Sequence, residues 1–242
     1  MKAPELSYYN IADGIISFST TRHGGCSRGN YGEFNINEYC GDEAEAINKN
    51  RKALAAELGI DADHMIIPHQ THGIETRQIA EDFLSLPENI RKMILEGVDA
   101  VMTNIKGVCV GVSTADCIPI LLYDPEHEAV CAVHAGWRGT VARIVMKAVT
   151  EMRLAYQTIP SDLKAVIGPG ISLDAFEVGN EVYEEFANAN FEMDAISKQM
   201  KVAGTDFEYK WHIDLKECNR RQLLQCGINE ENILVGDVCT YN

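Results

Sequence analysis

The stretch AVCAVHAGWRGT, residues 129–140, decides the fold because its hydrophobic pattern changes within a few residues. Its first part, Ala129 to Val133, is an unbroken apolar run of the kind that forms a buried strand. Gly136 and Gly139 then mark a turn, and the apolar spacing over 141–156 predicts a long amphipathic helix. A strand, a glycine-rich turn and a helix are therefore expected in succession.

Further short apolar runs stand on both sides of this stretch, separated by Gly or Asp-Pro turns. They predict strands at 14–20, 65–67, 74–79, 100–102, 108–112, 118–123, 129–133, 166–170 and 233–239. Helical patterns predict helices at 42–59, 141–156, 180–189 and 215–225. Because the strands cluster and the helices cover them, we predict an α+β fold with an antiparallel or mixed sheet. The length of 242 residues suits one domain over 1–242.

The composition argues against several classes of partner. The formal net charge is −15, and such an acidic surface repels phosphate backbones and anionic lipid. We therefore expect neither nucleic acid nor a membrane as a partner, and no feature indicates an obligate protein partner. A small phosphorylated ligand remains compatible with the charge, since a pair of arginines can bind phosphate inside an acidic protein.

The cysteines and the N-terminal residues predict a cytoplasmic protein. The eight cysteines contain no CxxC pair and do not resemble a secreted disulfide framework. The first residues, MKAPE, have no apolar targeting core, and no run approaches the roughly 20 apolar residues of a membrane span.

His72 lies in the segment PHQTHG, residues 68–73, which continues an apolar strand. Side chains alternate along a strand, so Gln70 and His72 are expected on one side and His69 on the other. Gly73 would allow a ligand or another backbone to approach closely. A hydrogen-bonded histidine at a sheet edge is the alternative interpretation.

Asp116 and Cys117 interrupt an apolar stretch between two predicted strands. A carboxylate in such a run is costly unless it is paired or hydrogen-bonded. Pro119 indicates a strand start, an edge or a bulge, which could direct a side chain into a cleft. A buried thiol beside a turn-capping aspartate is the alternative.

His134 ends the strand that precedes the glycine-rich turn, where a helix N-terminus and Arg138 could bind an anion. Two imidazoles and one thiolate, from His72, His134 and Cys117, would make a site that suits zinc. Three protein ligands leave a fourth position open, as in catalytic zinc sites. The spacing matches no zinc finger, so spacing alone leaves a shared site open.

Several motifs resemble those of a known family, the bacterial laccase-domain or polyphenol oxidase family, whose members are also described as purine nucleoside phosphorylases. The matching pieces are TTRHGG at 20–25, FN at 34–35 through GD at 41–42, QTHG at 70–73, TADC at 114–117, HAGWRG at 134–139, IGP at 167–169, DL at 214–215 with NR at 219–220, and CT at 239–240. They cover nearly the whole chain in order. The HAGWRG and ADC pieces are specific motifs.

The resemblance implies a layered α-β-β-α sandwich and one zinc held by His72, Cys117 and His134. It also implies phosphorolysis of purine nucleosides and, as a second activity, deamination of adenosine. The chain departs from the usual pattern at 172–176, where relatives often carry cysteine and tyrosine. Relatives also usually continue past the Cys-Thr piece with an arginine-bearing stretch.

These activities give the remaining polar residues candidate roles. Asp116 is the candidate to transfer protons in deamination, beside the zinc ligands, which make up the rest of the catalytic group. Arg22, Asn37 and Arg138 are candidates to position phosphate or ribose, and Gln70 is expected to contact substrate. Purine nucleosides and phosphate are the expected small-molecule partners.

Three other functions stay open from the sequence. Cys117 and His134 could be the nucleophile and base of a metal-free hydrolase or deamidase. Copper-dependent phenol oxidation is the older family label, but seven histidines are few for a multicopper site. A zinc-stabilised binding domain without enzymatic activity is the third.

Overall fold

The centre of the fold is a mixed sheet that carries most of the apolar core. The computed structural model describes residues 2–202 and 208–241. Its strands are β1 (Leu6–Tyr9), β2 (Ser17–Thr20), β3 (Met65–Ile66), β4 (Glu75–Gln78), β5 (Val98–Thr103), β6 (Cys109–Val110), β7 (Ile118–Asp124), β8 (Ala129–Ala135), β9 (Lys164–Ile167), β10 (Glu177–Val178), β11 (Ser197–Lys201), β12 (Tyr209–Ile213) and β13 (Ile233–Val235).

The helices of the described residues surround these strands. They are α1 (Ala44–Leu58), α2 (Glu88–Ile94), α3 (Trp137–Val141), α4 (Ile144–Tyr156), α5 (Asn180–Asn188), α6 (Met193–Ile196) and α7 (Leu215–Gln225). The predicted helices at 42–59, 180–189 and 215–225 correspond to α1, α5 and α7.

The central sheet has the order β13-β9-β7-β8-β5-β4. Its two outer pairs, β13–β9 and β5–β4, are parallel, and the three inner pairs are antiparallel. Two-stranded sheets join β1 with β2 and β3 with β6, and a three-stranded sheet has the order β10-β12-β11. The mixed sheet that the sequence predicts is confirmed.

The two faces of the central sheet belong to different parts of the core, because side chains alternate along each strand. On β8, Cys131 and Val133 face the side covered by α4 and α7. Ala132 faces the other side, where it meets Ile66 of β3 and Phe83. The sheet is therefore buried on both faces, which explains the continuous apolar runs of its inner strands.

A third layer lies beyond the β3–β6 pair. Met65 of β3 packs against Leu54 of α1 and against Phe34, together with Phe18 of β2. The order is thus helices α4 and α7, the central sheet, the smaller sheets, and α1. The α+β class and the layered α-β-β-α arrangement are confirmed, whereas one domain over 1–242 stays a prediction, with residues 1, 203–207 and 242 outside the described part.

The predicted helix 141–156 is wrong in one respect. The chain forms α3 and then α4, and between them Arg143 takes a left-handed backbone conformation with φ 65°. The Arg143 guanidinium lies 3.8 Å from the centre of the Phe191 ring and donates to the carbonyl of Ala189 at 2.9 Å. These long-range contacts stabilise the interruption between α3 and α4. The local apolar spacing contains no sign of them.

Other predicted strands are too long, and several elements were not predicted. The run 14–20 forms a strand only over β2, 108–112 only over β6, 166–170 only to Ile167, and 233–239 only over β13. The strands β1, β10, β11 and β12 and the helices α2 and α6 were missed. Most of these strand positions are exposed or half-buried, so they carry no strong apolar alternation.

Asn50 of α1 holds the loop that follows β2. Its side chain is fully buried, and its amide nitrogen donates to the Ser27 hydroxyl at 3.0 Å and to the Asn35 carbonyl at 2.9 Å. Its amide oxygen accepts from the backbone N–H of Cys26 at 3.0 Å. The Asn50 side chain thus holds both the start of this loop, at Cys26 and Ser27, and its later part, at Asn35, against α1.

We predict that Asn50→Ala lowers the free energy of unfolding by about 1–3 kcal/mol, because it leaves buried polar groups of the loop without a partner. Urea unfolding followed by circular dichroism measures the change. Glu57→Ala, at an exposed position of the same helix, is the control and should change stability by less than about 0.5 kcal/mol. Equal effects of the two substitutions would show that the loop does not depend on Asn50.

Candidate metal centre

The register of the central sheet places two of the predicted ligands. His134 lies near the end of β8, on the face that packs against the smaller sheets. Ile118, the first residue of β7, pairs with Ala135 of β8. The next positions along this pair are Cys117 and Gly136, so the Cys117 thiol comes to lie beside the end of β8. Ordinary strand pairing therefore brings Cys117 and His134 together.

His72 reaches the same place from a loop between β3 and β4. The sequence predicted a strand here, and that prediction is wrong: residues 70–74 form no strand, and His72 has a left-handed backbone with φ 62°. Such a conformation is uncommon for a residue other than glycine and has to be held by its surroundings. Strand alternation therefore does not explain the direction of this side chain.

The three predicted ligands form one cluster. The donor atoms of His72, Cys117 and His134 all lie within 4.8 Å of one another. The two imidazole rings meet edge to face, with centroids 4.9 Å apart. His134 is buried, Cys117 is half-buried and His72 is exposed, so the cluster opens to one side. Over residues 2–202 and 208–241 it is the one group of three such donors that could hold a metal ion.

Gly136 makes this close approach possible. A Cβ atom at Gly136 would lie 3.0 Å from the Cys117 sulfur and 3.1 Å from Cδ2 of His72. Both distances are shorter than most Cβ contacts, so the side chains of Cys117 and His72 pack directly against the backbone of Gly136. The turn residue is thus a spatial requirement of the cluster.

Asp99 of β5 is the residue that the sequence interpretation missed. One carboxylate oxygen accepts from Nδ1 of His134 at 2.7 Å and from the backbone N–H of His72 at 3.0 Å. The other accepts from the backbone N–H groups of Gly73 at 2.8 Å and Thr71 at 3.2 Å. A single carboxylate therefore holds one ligand by its ring and another by its backbone.

A sequence signal for Asp99 was present. It stands inside the apolar strand β5 and is fully buried, and a buried carboxylate is costly unless it is paired. The strand register also places it well, because Ala100 pairs with Val133 and the next position brings Asp99 beside His134.

The hydrogen bonds of this group shift its pKa values. Burial alone would raise the pKa of Asp99, but the bonds from His134, Gly73 and Thr71 outweigh it and lower that pKa. Burial likewise opposes charge on His134, yet the Asp99 carboxylate and the Cys117 thiol raise the pKa of His134 to about 9. Histidine binds a metal as neutral imidazole, so a metal must displace the proton that these neighbours favour.

The pKa of His72 is shifted in the opposite direction to that of His134. Burial, followed by the charge of His134, lowers its pKa, the nearby Asp99 opposes this change, and the Arg138 guanidinium adds to it. A lowered pKa keeps this imidazole neutral near pH 7, which is the form that binds a metal.

The donor set fits a metal of intermediate softness. Two imidazoles and a thiolate are ligands of zinc and of copper, and three protein ligands leave room for water or substrate. Because Nδ1 of His134 is bonded to Asp99, Nε2 is the atom that faces the cluster. A carboxylate behind a ligating histidine is the usual partner that fixes ring orientation in metal sites.

Asp116 does not lie inside an apolar run as the sequence suggested. It is exposed, and its carboxylate accepts from the Thr240 hydroxyl at 2.9 Å. Its backbone carbonyl accepts from the N–H of Ile171 at 2.8 Å. The carboxylate thus avoids the cost of burial by standing at the surface beside Cys117, and its role in proton transfer stays a prediction.

The predicted substrate-binding residues make contacts within the protein. The Arg22 guanidinium donates to the Gly32 carbonyl at 2.8 and 3.2 Å. The Asn37 amide oxygen accepts from the backbone N–H of Tyr39 at 2.8 Å. Gln70 bonds in both directions with the backbone of Ser113. Contacts of these side chains with substrate stay predictions.

Arg138 is exposed and its guanidinium lies 4.2 Å from the centre of the Trp137 ring. The helix that starts after Gly136 is the five-residue α3 rather than the start of a long helix, and anion binding at its N-terminus stays a prediction. A contribution of the Arg138 side chain to phosphate binding also stays a prediction.

A cleft of about 1580 Å³ lies beside the cluster, between the central sheet and the layer that contains β2. The three cluster residues line it, together with Arg22, Asn37, Gln70 and Asp116. Arg138 is not part of that lining. The structure thus brings seven of the eight predicted site residues, all except Arg138, to the lining of one cleft.

A layered α+β fold with a His-Cys-His cluster at the end of its central sheet defines a class of protein with a candidate metal centre in a cleft. The chain belongs to the family described as multi-copper polyphenol oxidoreductase laccase, which matches residues 16–242. The resemblance stated from the motifs is confirmed.

Relatives with enzyme names match nearly the whole chain. A "Purine nucleoside phosphorylase" from Bacteroides thetaiotaomicron is 44% identical over 235 residues, 97% of this chain and 84% of the relative. An "Adenosine deaminase RL5" from an unknown prokaryotic organism is 39% identical over 236 residues, 98% of this chain and 88% of the relative. These names identify the relatives as enzymes.

Solved structures share the fold. The hypothetical protein YfiH from Bacillus licheniformis has a TM-score of 0.85 at 26% identity, covering 98% of this chain and 87% of that one. YlmD from Geobacillus stearothermophilus has a TM-score of 0.81 at 28% identity, covering 93% of this chain and 82% of that one. Among the described residues, none of the helices has the length and apolar character needed to span a membrane.

We predict that Asp99→Asn lowers metal affinity by about 10- to 100-fold, as expected for the partner of a ligating histidine. The amide keeps the shape but loses the charge and presents an N–H where only acceptors are needed. Titration against a chromophoric chelator measures the dissociation constant. Asp124→Asn is the matched control, because Asp124 is also buried but bonds Thr158 and His127. Unchanged affinity in Asp99→Asn would contradict the assignment.

We predict that Gly136→Ala also impairs metal binding, by about tenfold or more, because the new methyl group would separate the Cys117 and His72 donors by more than a metal site tolerates. Gly111→Ala is the control, since a Cβ there meets its nearest atom at 3.9 Å. Metal content after dialysis and the dissociation constant are the measurements. Equal metal binding in both variants would show that the cluster does not require glycine at position 136.

Proposed function

We propose that the protein is a zinc-dependent purine nucleoside phosphorylase, with deamination of adenosine as a second activity. The observation that carries the proposal is the cluster of His72, Cys117 and His134 at the wall of a wide cleft. The names of the relatives at 44% and 39% identity support the choice of purine nucleosides as substrates.

The donor chemistry supports zinc as the metal. Cys117 provides a thiolate and the two histidines provide imidazole nitrogens, a combination found in catalytic zinc sites. When bound, zinc would act as a Lewis acid and make hydroxide available near neutral pH. The residues of the chain contribute the fixed positions of the donors, through Asp99 and Gly136.

In phosphorolysis, a phosphate oxygen forms a bond to C1′ of the ribose while the N-glycosidic bond breaks and the purine leaves with a proton. Negative charge on phosphate has to be held close to the ribose throughout. Arg22 and Asn37 line the cleft, and Arg138 is close enough to His72 to lower its pKa. We assign these side chains to phosphate and ribose, where guanidinium groups bind anions through paired N–H groups.

In deamination, water adds at C6 of adenosine and ammonia leaves, so one proton of the water moves to the departing nitrogen and the other ends on N1 of the purine. Asp116 is the carboxylate next to Cys117, and it lines the same cleft. The Thr240 hydroxyl holds it in place. We assign the proton transfer to Asp116, since a general acid–base group has to reach both the water and the leaving nitrogen.

A metal-free Cys-His hydrolase or deamidase is the second candidate, and one observation favours it. The Cys117 sulfur lies within 4.8 Å of a ring nitrogen of His134, and the thiol is among the groups that raise the pKa of His134. A thiolate beside an imidazolium is an activated nucleophile. In that mechanism His72 is not required.

Copper chemistry follows from the family description, and the ligands of the chain argue against it. A multicopper centre uses many histidines, whereas the chain has seven and the described cluster contains two of them. A blue absorbance or a copper signal in electron paramagnetic resonance from protein isolated without added metal would favour it.

We predict that protein of measured zinc content converts adenosine to adenine and ribose 1-phosphate only when phosphate is present. Adenosine is incubated with and without phosphate, and the products are separated by liquid chromatography. Inosine formed without phosphate establishes deamination. No product from adenosine, inosine or guanosine, despite stoichiometric zinc, would overturn the substrate assignment.

His72→Ala distinguishes the two enzyme mechanisms in the same assay. Zinc-dependent turnover is expected to be lost, because one of the three metal ligands is gone. Full activity of this variant in a chelator-treated preparation would instead support the Cys-His mechanism.

A further inference from the structure

The three donors of the cluster are not held in the same way. His134 lies on β8 and Cys117 directly precedes β7, so the pairing of β7 with β8 in the central sheet holds both close together. His72 belongs to a loop without strand pairing of its own and has a left-handed backbone. Its position relative to the other two donors therefore depends on ties from this loop to the sheet.

The Asp99 carboxylate of β5 makes the first connection, through hydrogen bonds from the backbone of Thr71, His72 and Gly73. A second tie leads to the segment that carries Cys117. The Gln70 amide nitrogen donates to the Ser113 carbonyl at 2.8 Å, and the Ser113 backbone N–H donates to the Gln70 amide oxygen at 2.7 Å. The nitrogen and the oxygen of the Gln70 amide thus both hydrogen-bond the backbone of Ser113, which lies 43 positions later in the chain.

The segment from Ser113 to Cys117 is held at both ends. Gln70 fixes its start, and its end is fixed where Ile171 donates to the carbonyl of Asp116 at 2.8 Å. Gln70 stands two residues before His72, and Ser113 stands four residues before Cys117. Two hydrogen bonds between one carboxamide and one backbone residue restrain the distance between the two loops, because both bonds depend on donor–acceptor distance and direction.

We propose that Gln70 is a positioning residue of the metal centre, which couples the loop of His72 to the loop of Cys117. Its amide acts on the spacing of the donor atoms rather than on the purine nucleoside. The inference rests on the metal centre within the proposed function and is independent of the substrate. It gives Gln70 a role different from the substrate contact expected from the sequence.

Metal affinity and ligand geometry test this role directly. Gln70→Ala removes both bonds, whereas Gln70→Glu keeps the shape and the bond from Ser113 N–H but places a carboxylate oxygen against the Ser113 carbonyl. Gln199→Ala, at an exposed position of β11, is the matched control. Zinc is titrated against a chelator, and cobalt(II) is bound in its place so that the thiolate charge-transfer and visible d–d bands report the coordination.

Both Gln70 variants are expected to bind zinc about 10- to 100-fold more weakly than the unchanged protein, the range typical of residues behind metal ligands. Their cobalt spectra should lose intensity in the charge-transfer or d–d bands, while Gln199→Ala retains the original affinity and spectrum. Thermal unfolding of the metal-free proteins accompanies the titration. A small change there, together with a large loss of affinity, supports positioning over a general loss of structure.

Unchanged zinc affinity and cobalt spectra in both variants would overturn the proposal, and an increased KM for the nucleoside alone would return Gln70 to substrate binding. If Gln70→Ala does not fold, Gln70→Glu decides the question. Because the titration needs no turnover, it remains informative even if the chain acts on no purine nucleoside. Failure of the positioning role and failure of the proposed activity are thereby distinguished.

Discussion

The Asp99 carboxylate is the interaction on which the arrangement of the site depends. It accepts hydrogen bonds from the ring of His134 and from three successive backbone N–H groups, those of Thr71, His72 and Gly73. A buried carboxylate without such partners would be strongly destabilising, so the bonds are needed by the fold as well as by the site. In return, the charge orients one imidazole and supports the left-handed backbone of the other.

Around this group the site combines rigid and less regular parts of the molecule. The central sheet supplies Cys117 and His134 at fixed separation, and the glycine-rich turn leaves room for their donors. The loop of His72 adds the third donor from outside the sheet. Arg22 and Asn37 come from a fourth region, whose loop is fixed to α1 by Asn50. The cleft therefore lies where several layers meet, as is common for ligand sites.

The sequence predicted the members of the cluster better than their surroundings. His72, Cys117 and His134 were recognised through motif resemblance, since their spacing alone did not decide the question. The residue behind them, Asp99, was missed although an aspartate inside an apolar strand was visible. The bonds of Gln70 with Ser113 could not be predicted, because they link segments whose proximity depends on the whole fold. Asp116 was expected inside an apolar stretch, whereas its side chain is exposed.

Elements with a strong local pattern were predicted well, and those held by distant contacts were not. Helix α7 begins and ends where the pattern indicates, and it starts with a capping aspartate, Asp214, whose side chain accepts from the N–H of Glu217. The division between α3 and α4 depends on Arg143 and its contacts with Ala189 and Phe191 in the segment after α5, so local spacing could not show it. The strands β10 to β12 are short and partly exposed, and their pattern is weak.

The loop of His72 has a consequence for the order in which the molecule forms. During synthesis this loop leaves the ribosome before β5, β7 and β8, and its hydrogen bonds with Asp99 and Ser113 can form only after those residues are made. His72 alone supplies one of the three donors, so the full donor set exists only after β7 has paired with β8. A metal ion held by all three donors would therefore report that distant segments of the chain have come together in the native arrangement.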